Sequence, residues 1–183
     1  MGRTYWNGSH LYGTGTAMRW DEIENQPCSI ARSLSVVGDR WTLLILRECF
    51  LGVRRFEDLH SNLGMARHRL SDRLGRLVEH KVLNKVPYQD KPLRHEYRLT
   101  DKGKDLYPVI LGLVRWGDRW MDQGRGAPVV YRHNSCGHMT TPVLSCSECG
   151  EALAARDVTP LAGPGLRPRL PRKRGPGSGM ASG

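Results

Sequence analysis

No run of eighteen apolar residues occurs in the 183-residue chain, which excludes a helix that spans a membrane. The N-terminal stretch MGRTYWNGSHLYGTGTAM has no apolar signal core, so the chain is expected to be soluble, cytoplasmic and without membrane contact. Hydrophobic residues make up 39% and aromatics 7%, a lean supply that suits one core of ordinary size plus a small appendage and not two full domains. A Gly-rich phosphate loop, paired carboxylates at a plausible site and a base beside a nucleophile are all missing, and no enzyme is expected. The five cysteines are an odd number with three crowded between Cys136 and Cys149, which fits a reducing compartment and a metal or thiol site better than a disulfide framework.

Positive charge and glycine are plentiful. The formal net charge is +10, and the 21 glycines and 11 prolines concentrate towards the two ends. Residues 1–20 carry Arg3 and Arg19 with no acid and are expected to form a flexible arm; residues 162–183 carry five basic residues with no acid and are expected to be a disordered tail. Between them, residues 54–98 hold eleven basic and six acidic side chains, the stretch that a polyanion would meet first.

Apolar spacing predicts the elements of a main domain over residues 21–124. Ile30, Leu34 and Val37 recur at helical spacing; Gly38-Asp39 interrupts them; Arg40 to Leu51 forms a strongly apolar second helix closed by Gly52. Phe56, Leu59 and Leu63 space a third helix ended by Gly64, and residues 66–80 a fourth, whose Leu70, Leu74 and Leu77 share one narrow stripe. Residues 83–86 and 95–99 alternate as strands, joined by a polar, proline-bearing tip over 87–94. Thr100-Asp101 caps a long helix to about Met121, with Leu106, Val109, Ile110, Leu113, Trp116 and Trp120 on one side. The expected fold is mainly α with a small β-wing, a winged helix-turn-helix, followed by a short module over residues 131–158.

In that arrangement the fourth helix enters the major groove of DNA and the hairpin reaches the flanking backbone or minor groove. With the leucines turned inward, His68, Asp72 and Gly75 point outward, flanked by Arg69 and Arg76 on one side and Ser71 on the other. Arginine forks can bond guanine edges or phosphates, and Ser71 and His68 supply shorter hydrogen bonds. Arg67 and Arg73 on the same helix, Arg55 at the start of the third helix, and Lys91 and Arg94 on the wing complete the candidate DNA contacts. The plainer reading makes these arginines a solvated helix face with Asp72 pairing locally. It is outweighed because all the candidates fall on elements that a winged helix turns towards double-stranded DNA. Two rival functions are an adaptor that binds protein through the wing and the C-terminal module, and a thiol oxidoreductase using Cys146 and Cys149. Trp116 and Trp120, spaced i, i+4, extend the apolar stripe past what the small body can cover, which points to a partner subunit; the alternative is that they cover their own core.

The segment from Cys28 to Trp120 resembles the HxlR-type winged-helix transcriptional regulators of bacteria, a branch near the MarR regulators. The resemblance rests on Gly38-x-x-Trp41-Thr-Leu-Leu-Ile-Leu-Arg47, Arg55-Phe56-x-x-Leu59, Leu70-Ser71-x-Arg73-Leu74-x-x-Leu77, Tyr97-x-Leu99-Thr100-x-x-Gly103 and Trp116-Gly117. It implies a homodimeric DNA-binding regulator, usually without enzymatic activity; the leading expectation is a dimeric repressor or activator reading an imperfect inverted repeat, open to a small-molecule or oxidant effector. The dimer of such proteins is held by the N-terminal helix and the long helix after the wing, here carrying Ile30, Leu34, Leu113, Trp116 and Trp120. Lys81 departs from the pattern, which often has glycine at that turn. A cysteine near Cys28 serves some of these regulators as a redox sensor. The start of a helix would indeed lower a thiol pKa there, although a small residue packed at a helix start explains Cys28 equally. Cys49, in the apolar second helix, is expected to be buried and inert.

His133-x-x-Cys136-Gly137 and Cys146-x-x-Cys149-Gly150 share one form: ligand, two residues, ligand, glycine. A two-residue spacer turns both ligands to one ion, and four such ligands favour a structural zinc ion in a zinc-ribbon-like module. His138 competes with His133 as fourth ligand, but its one-residue spacing from Cys136 is less usual for a knuckle, which favours His133. The alternatives are a degenerate ribbon without metal and a thiol–disulfide pair at Cys146–Cys149.

Overall fold

A computed structural model describes residues 20–161 and 163–165. The expected arm, apart from Trp20, and the expected basic tail, apart from 163–165, lie outside the described residues. A 3-10 helix, Trp20–Asn25, precedes α1 (Ser29–Val37), α2 (Arg40–Phe50), α3 (Phe56–Leu63) and α4 (Arg67–Glu79). An antiparallel hairpin of β1 (Leu83–Asp90) and β2 (Leu93–Leu99) follows, then α5 (Asp101–Lys104), α6 (Tyr107–Trp120), and the two-residue strands β3 (Tyr131–Arg132) and β4 (Met139–Thr140). Among the described residues no helix is long and apolar enough to cross a membrane.

The core forms where the predicted stripes converge. Ile45 and Leu46 of α2, Leu59 of α3 and Leu70 and Leu74 of α4 are completely buried, joined by Leu77, Val82 and Leu83. Asp39 starts α2 by accepting the N–H groups of Trp41 (3.0 Å) and Thr42 (3.3 Å), and Gly64 closes α3 in the left-handed conformation at φ 60°. The α3–turn–α4 pair is thereby a helix-turn-helix, with the hairpin as its wing. The segment before α3 joins the wing as a third strand at one point, where Arg55 bridges Glu96 and the Tyr97 N–H donates to the Arg54 carbonyl at 2.8 Å. Cys49 is buried as expected, and burial together with the Glu48 carboxylate pushes its thiol pKa up to about 12, leaving no reactive thiolate at neutral pH.

Three expectations change. The wing is longer than its alternation suggested: pairing extends through Pro87 to Asp90, with an irregularity between Pro87 and Gln89, so the turn is only Lys91-Pro92 and Arg94 lies within β2 opposite Gln89. Proline is tolerated there because β1 pairs on one side only. The single long helix after the wing is broken between Lys104 and Tyr107, since Pro108 has no N–H to return to Lys104 and its ring would collide with that carbonyl; it stands instead in the first turn of a new helix. Finally, the apolar side of α6 is two stripes. Ile110 is buried, with Leu106 and Val114 against the core, whereas Val109, Leu113, Trp116 and Trp120 form a neighbouring exposed face.

Candidate nucleic-acid interface

Helix α4 presents its polar face as the leucine stripe requires: His68, Arg69, Ser71, Asp72, Gly75 and Arg76 are all exposed. The four arginines of this helix divide into two kinds. Arg67 is held by α3, donating through two nitrogens to Glu57 (2.7 and 2.5 Å) while its guanidinium lies over the Phe56 ring at 5.0 Å. This pairing holds the Glu57 carboxyl below the usual carboxylate range. Arg73 is half-buried and donates to the cap residue Asp39 (3.1 and 3.4 Å) and to Asp72 (2.7 Å). Arg69 and Arg76, together with His68 and Ser71, make no side-chain hydrogen bond or ion pair among the described residues, so their donors face solvent. Gly75 sits between them, and a Cβ there would meet no atom within 4 Å, so nothing inside the chain calls for glycine at that exposed position.

Arg73 therefore fastens the reading helix to the N-terminus of α2. Burial alone would raise the Asp39 pKa, but the hydrogen bond and charge of Arg73, with the Thr42 and Trp41 N–H groups, outweigh it and hold the carboxyl below its ordinary 3.8. A depressed carboxyl stabilises the fold above that ordinary value and loses the contribution as pH falls through the folded-state pKa. Asp39→Asn keeps a competent cap but loses the ion pair, so it is expected to cost about 0.5–1 kcal/mol at pH 7, the discounted worth of a part-exposed pair. In urea unfolding from neutral pH to below 3.8, the gap between variant and wild type should close at the acid end; a gap independent of pH would show that the charge of Asp39 does not matter.

The wing lies beside this helix pair. The Arg55 guanidinium packs over the Tyr88 ring of β1 at 4.6 Å, joining the start of α3 to the hairpin. Lys91 occupies the turn and Arg94, exposed in β2, is close enough to Glu57 for its charge to help lower that carboxyl. Lys81 adopts the left-handed conformation at φ 57°, the geometry that glycine would otherwise supply at this turn. The residues missed in the sequence are those that brace the pair. Glu48, buried in α2, accepts from Arg47 (2.6 Å) and from Asn62 of α3 (2.8 Å), and Asp39 is the anchor of Arg73. Asn62 and Arg73 are fourteen and thirty-four positions from the carboxylates they meet, and no local pattern marks either pairing.

Cys28 stands at the N-cap position of α1 with extended backbone and is half-buried. Ile30, Leu34, Leu113, Trp116 and Trp120 are exposed, the two tryptophans at 58% and 66%, so they do not cover their own core. In the C-terminal module the His133 Nδ1 lies 3.4 Å from the Cys136 sulfur. The Cys146 thiol pKa is lowered by N–H groups of Cys149 and Glu148 and by the Cys149 side chain. The ligand candidates thus meet in pairs; among the described residues no group of three or more His, Cys, Asp or Glu is gathered around one point.

A helix-turn-helix whose second helix exposes unbonded arginines, completed by a β-hairpin, defines a winged helix-turn-helix protein. Residues 36–125 match the HxlR-like helix-turn-helix family. The chain is 51% identical over 142 residues to the uncharacterized HTH-type transcriptional regulators Rv3095 of Mycobacterium tuberculosis and Mb3122 of Mycobacterium bovis, covering 78% of this chain and 90% of each relative. Among solved structures, PA1607, a candidate transcription factor, is similar with a TM-score of 0.68 at 33% identity, covering 76% of this chain and 98% of its own. A second candidate transcription factor, PA1374 from Pseudomonas aeruginosa, is similar with a TM-score of 0.53 at 36% identity, covering 75% and 93%. The chain belongs to the HxlR-like helix-turn-helix family, and the relatives it matches are named HTH-type transcriptional regulators. The family and the fold make it a DNA-binding regulator.

Proposed function

We propose that the protein acts as a homodimer that places two α4 helices in successive major grooves of an imperfect inverted repeat, transcription following occupancy of that site. The observation that carries this reading is the division of the arginines: Arg67 and Arg73 are spent on fixing α4, whereas Arg69 and Arg76, with His68 and Ser71, are left with open donors on its outer face. A rigid helix with preset, unbonded donors suits base reading, while Lys91 and Arg94 on the wing suit phosphate contacts that draw any duplex. Dimerisation is supported by the exposed stripe of Val109, Leu113, Trp116 and Trp120, which a second subunit would cover together with Ile30 and Leu34 of α1.

The test separates the two kinds of contact on a selected operator fragment. Arg69→Ala should cost about 1–3 kcal/mol of binding and narrow the gap between operator and random duplex. Lys91→Ala should weaken both duplexes alike and reduce the salt slope by about one. Equal effects of the two substitutions on specificity and salt slope would overturn the assignment.

A further inference from the structure

The C-terminal module poses a question of cohesion. No residue from 131 to 158 is buried; Met139, Val143 and Leu144 are 70%, 61% and 67% exposed. A segment of this size with no apolar core lacks the usual means of holding a fixed fold. Its backbone nevertheless forms the same turn twice. Arg132 pairs with Met139, and Ser145 bridges Ala152, each pair framing six residues in the same register. The N–H of His133 donates to His138 O at 2.9 Å, as that of Cys146 donates to Glu151 O at 2.8 Å. The Gly137 N–H donates to His133 O at 2.7 Å, as that of Gly150 donates to Cys146 O at 2.9 Å, and both glycines have φ +75°, where a side chain is disfavoured.

In each copy, two metal-ligating side chains emerge from the tight turn three residues apart. The 3.4 Å between His133 Nδ1 and Cys136 Sγ is close to the roughly 3.5 Å edge of a tetrahedron with Zn–N near 2.0–2.1 Å and Zn–S near 2.3 Å. The backbone repeat supports His133 over His138 as the ligand. His138 occupies the place that Glu151 holds in the second copy, with its carbonyl taken by the strand pairing, whereas His133 matches Cys146.

We propose that the two turns, which the structure holds as separate pairs, are half-sites that a zinc ion draws into one site of His133, Cys136, Cys146 and Cys149, and that the ion supplies the cohesion the module's side chains do not. On binding, the three cysteines coordinate as thiolates and release their protons to solvent. Four protein ligands, one nitrogen and three sulfurs, leave no open position, so the site is structural. The module touches α6, where Arg115 donates to Pro142 O at 3.0 Å.

The experiment uses the full chain, purified with zinc supplied and then dialysed against metal-free buffer. Wild type should keep about one zinc per chain, and Co²⁺ in its place should show tetrahedral bands with thiolate charge transfer. Cys146→Ser and Cys136→Ser should each lower zinc affinity by at least about a hundredfold, and His133→Ala by at least about tenfold, with His138→Ala unchanged and the helical circular dichroism of the main domain intact in all four. The proposal is overturned by wild type that keeps no zinc, by octahedral cobalt spectra, by a stoichiometry of one ion per two chains, or by loss of zinc in His138→Ala with retention in His133→Ala.

Discussion

Gly103→Ala is expected to destabilise the protein by about 2–3 kcal/mol, lowering the thermal midpoint by about 10–20 °C. A Cβ at this position would lie 2.2 Å from the Val82 carbonyl oxygen and 3.0 Å from Leu99 Cδ2. The oxygen has little freedom to retreat, because it accepts the Thr100 N–H at 3.1 Å and lies 3.2 Å from the Thr100 hydroxyl, which also accepts the Gly103 N–H at 3.0 Å. Relief of the clash therefore breaks the joint at which α4, the base of the wing and α5 meet. The control is Gly75→Ala in the exposed middle of α4, where a Cβ meets nothing within 4 Å and helix propensity should add about 0.5–1 kcal/mol of stability. Opposite signs in thermal or urea unfolding support the packing argument; similar small effects from both would refute it.

The second large effect concerns assembly. In a Trp116→Glu/Trp120→Glu variant, sedimentation should show a single-chain species where wild type shows two chains. Operator affinity should fall by about a hundredfold or more as the second half-site ceases to be held at high effective concentration. The tryptophans are 58% and 66% exposed and lie outside the buried cluster, so the fold should survive with its circular dichroism unchanged. Wild type sedimenting as a single chain, or a variant binding the operator undiminished, would remove the dimeric reading. The acid-side behaviour of Asp39→Asn probes a different joint and should be independent, since Asp39 faces Arg73 and not α6.

The leucine stripe of α4, the glycine that ends α3 and the threonine that caps α5 were legible because each depends on residues within one or two turns of one another. The proline that divides the post-wing helix was equally local, yet the continuous apolar spacing concealed it. Periodicity also merged the two sides of α6: Ile110 and Leu113 are three residues apart in one stripe on paper, but only the first meets the core. Among the arginines, Arg73 and Arg76 look alike in sequence; what separates them is Asp39, thirty-four positions before Arg73.

From the amino-acid order alone came the winged helix-turn-helix, the basic helix that serves it and the duplicated ligand spacing near the C-terminus, all consequences of short-range geometry. The tertiary structure decided which cations are struts and which face outward, which half of α6 is left uncovered, and that each ligand pair is carried by its own tight turn. Those outcomes depend on where distant segments come to rest against each other, and that distance is set by the packing of the whole core and not by any window of sequence.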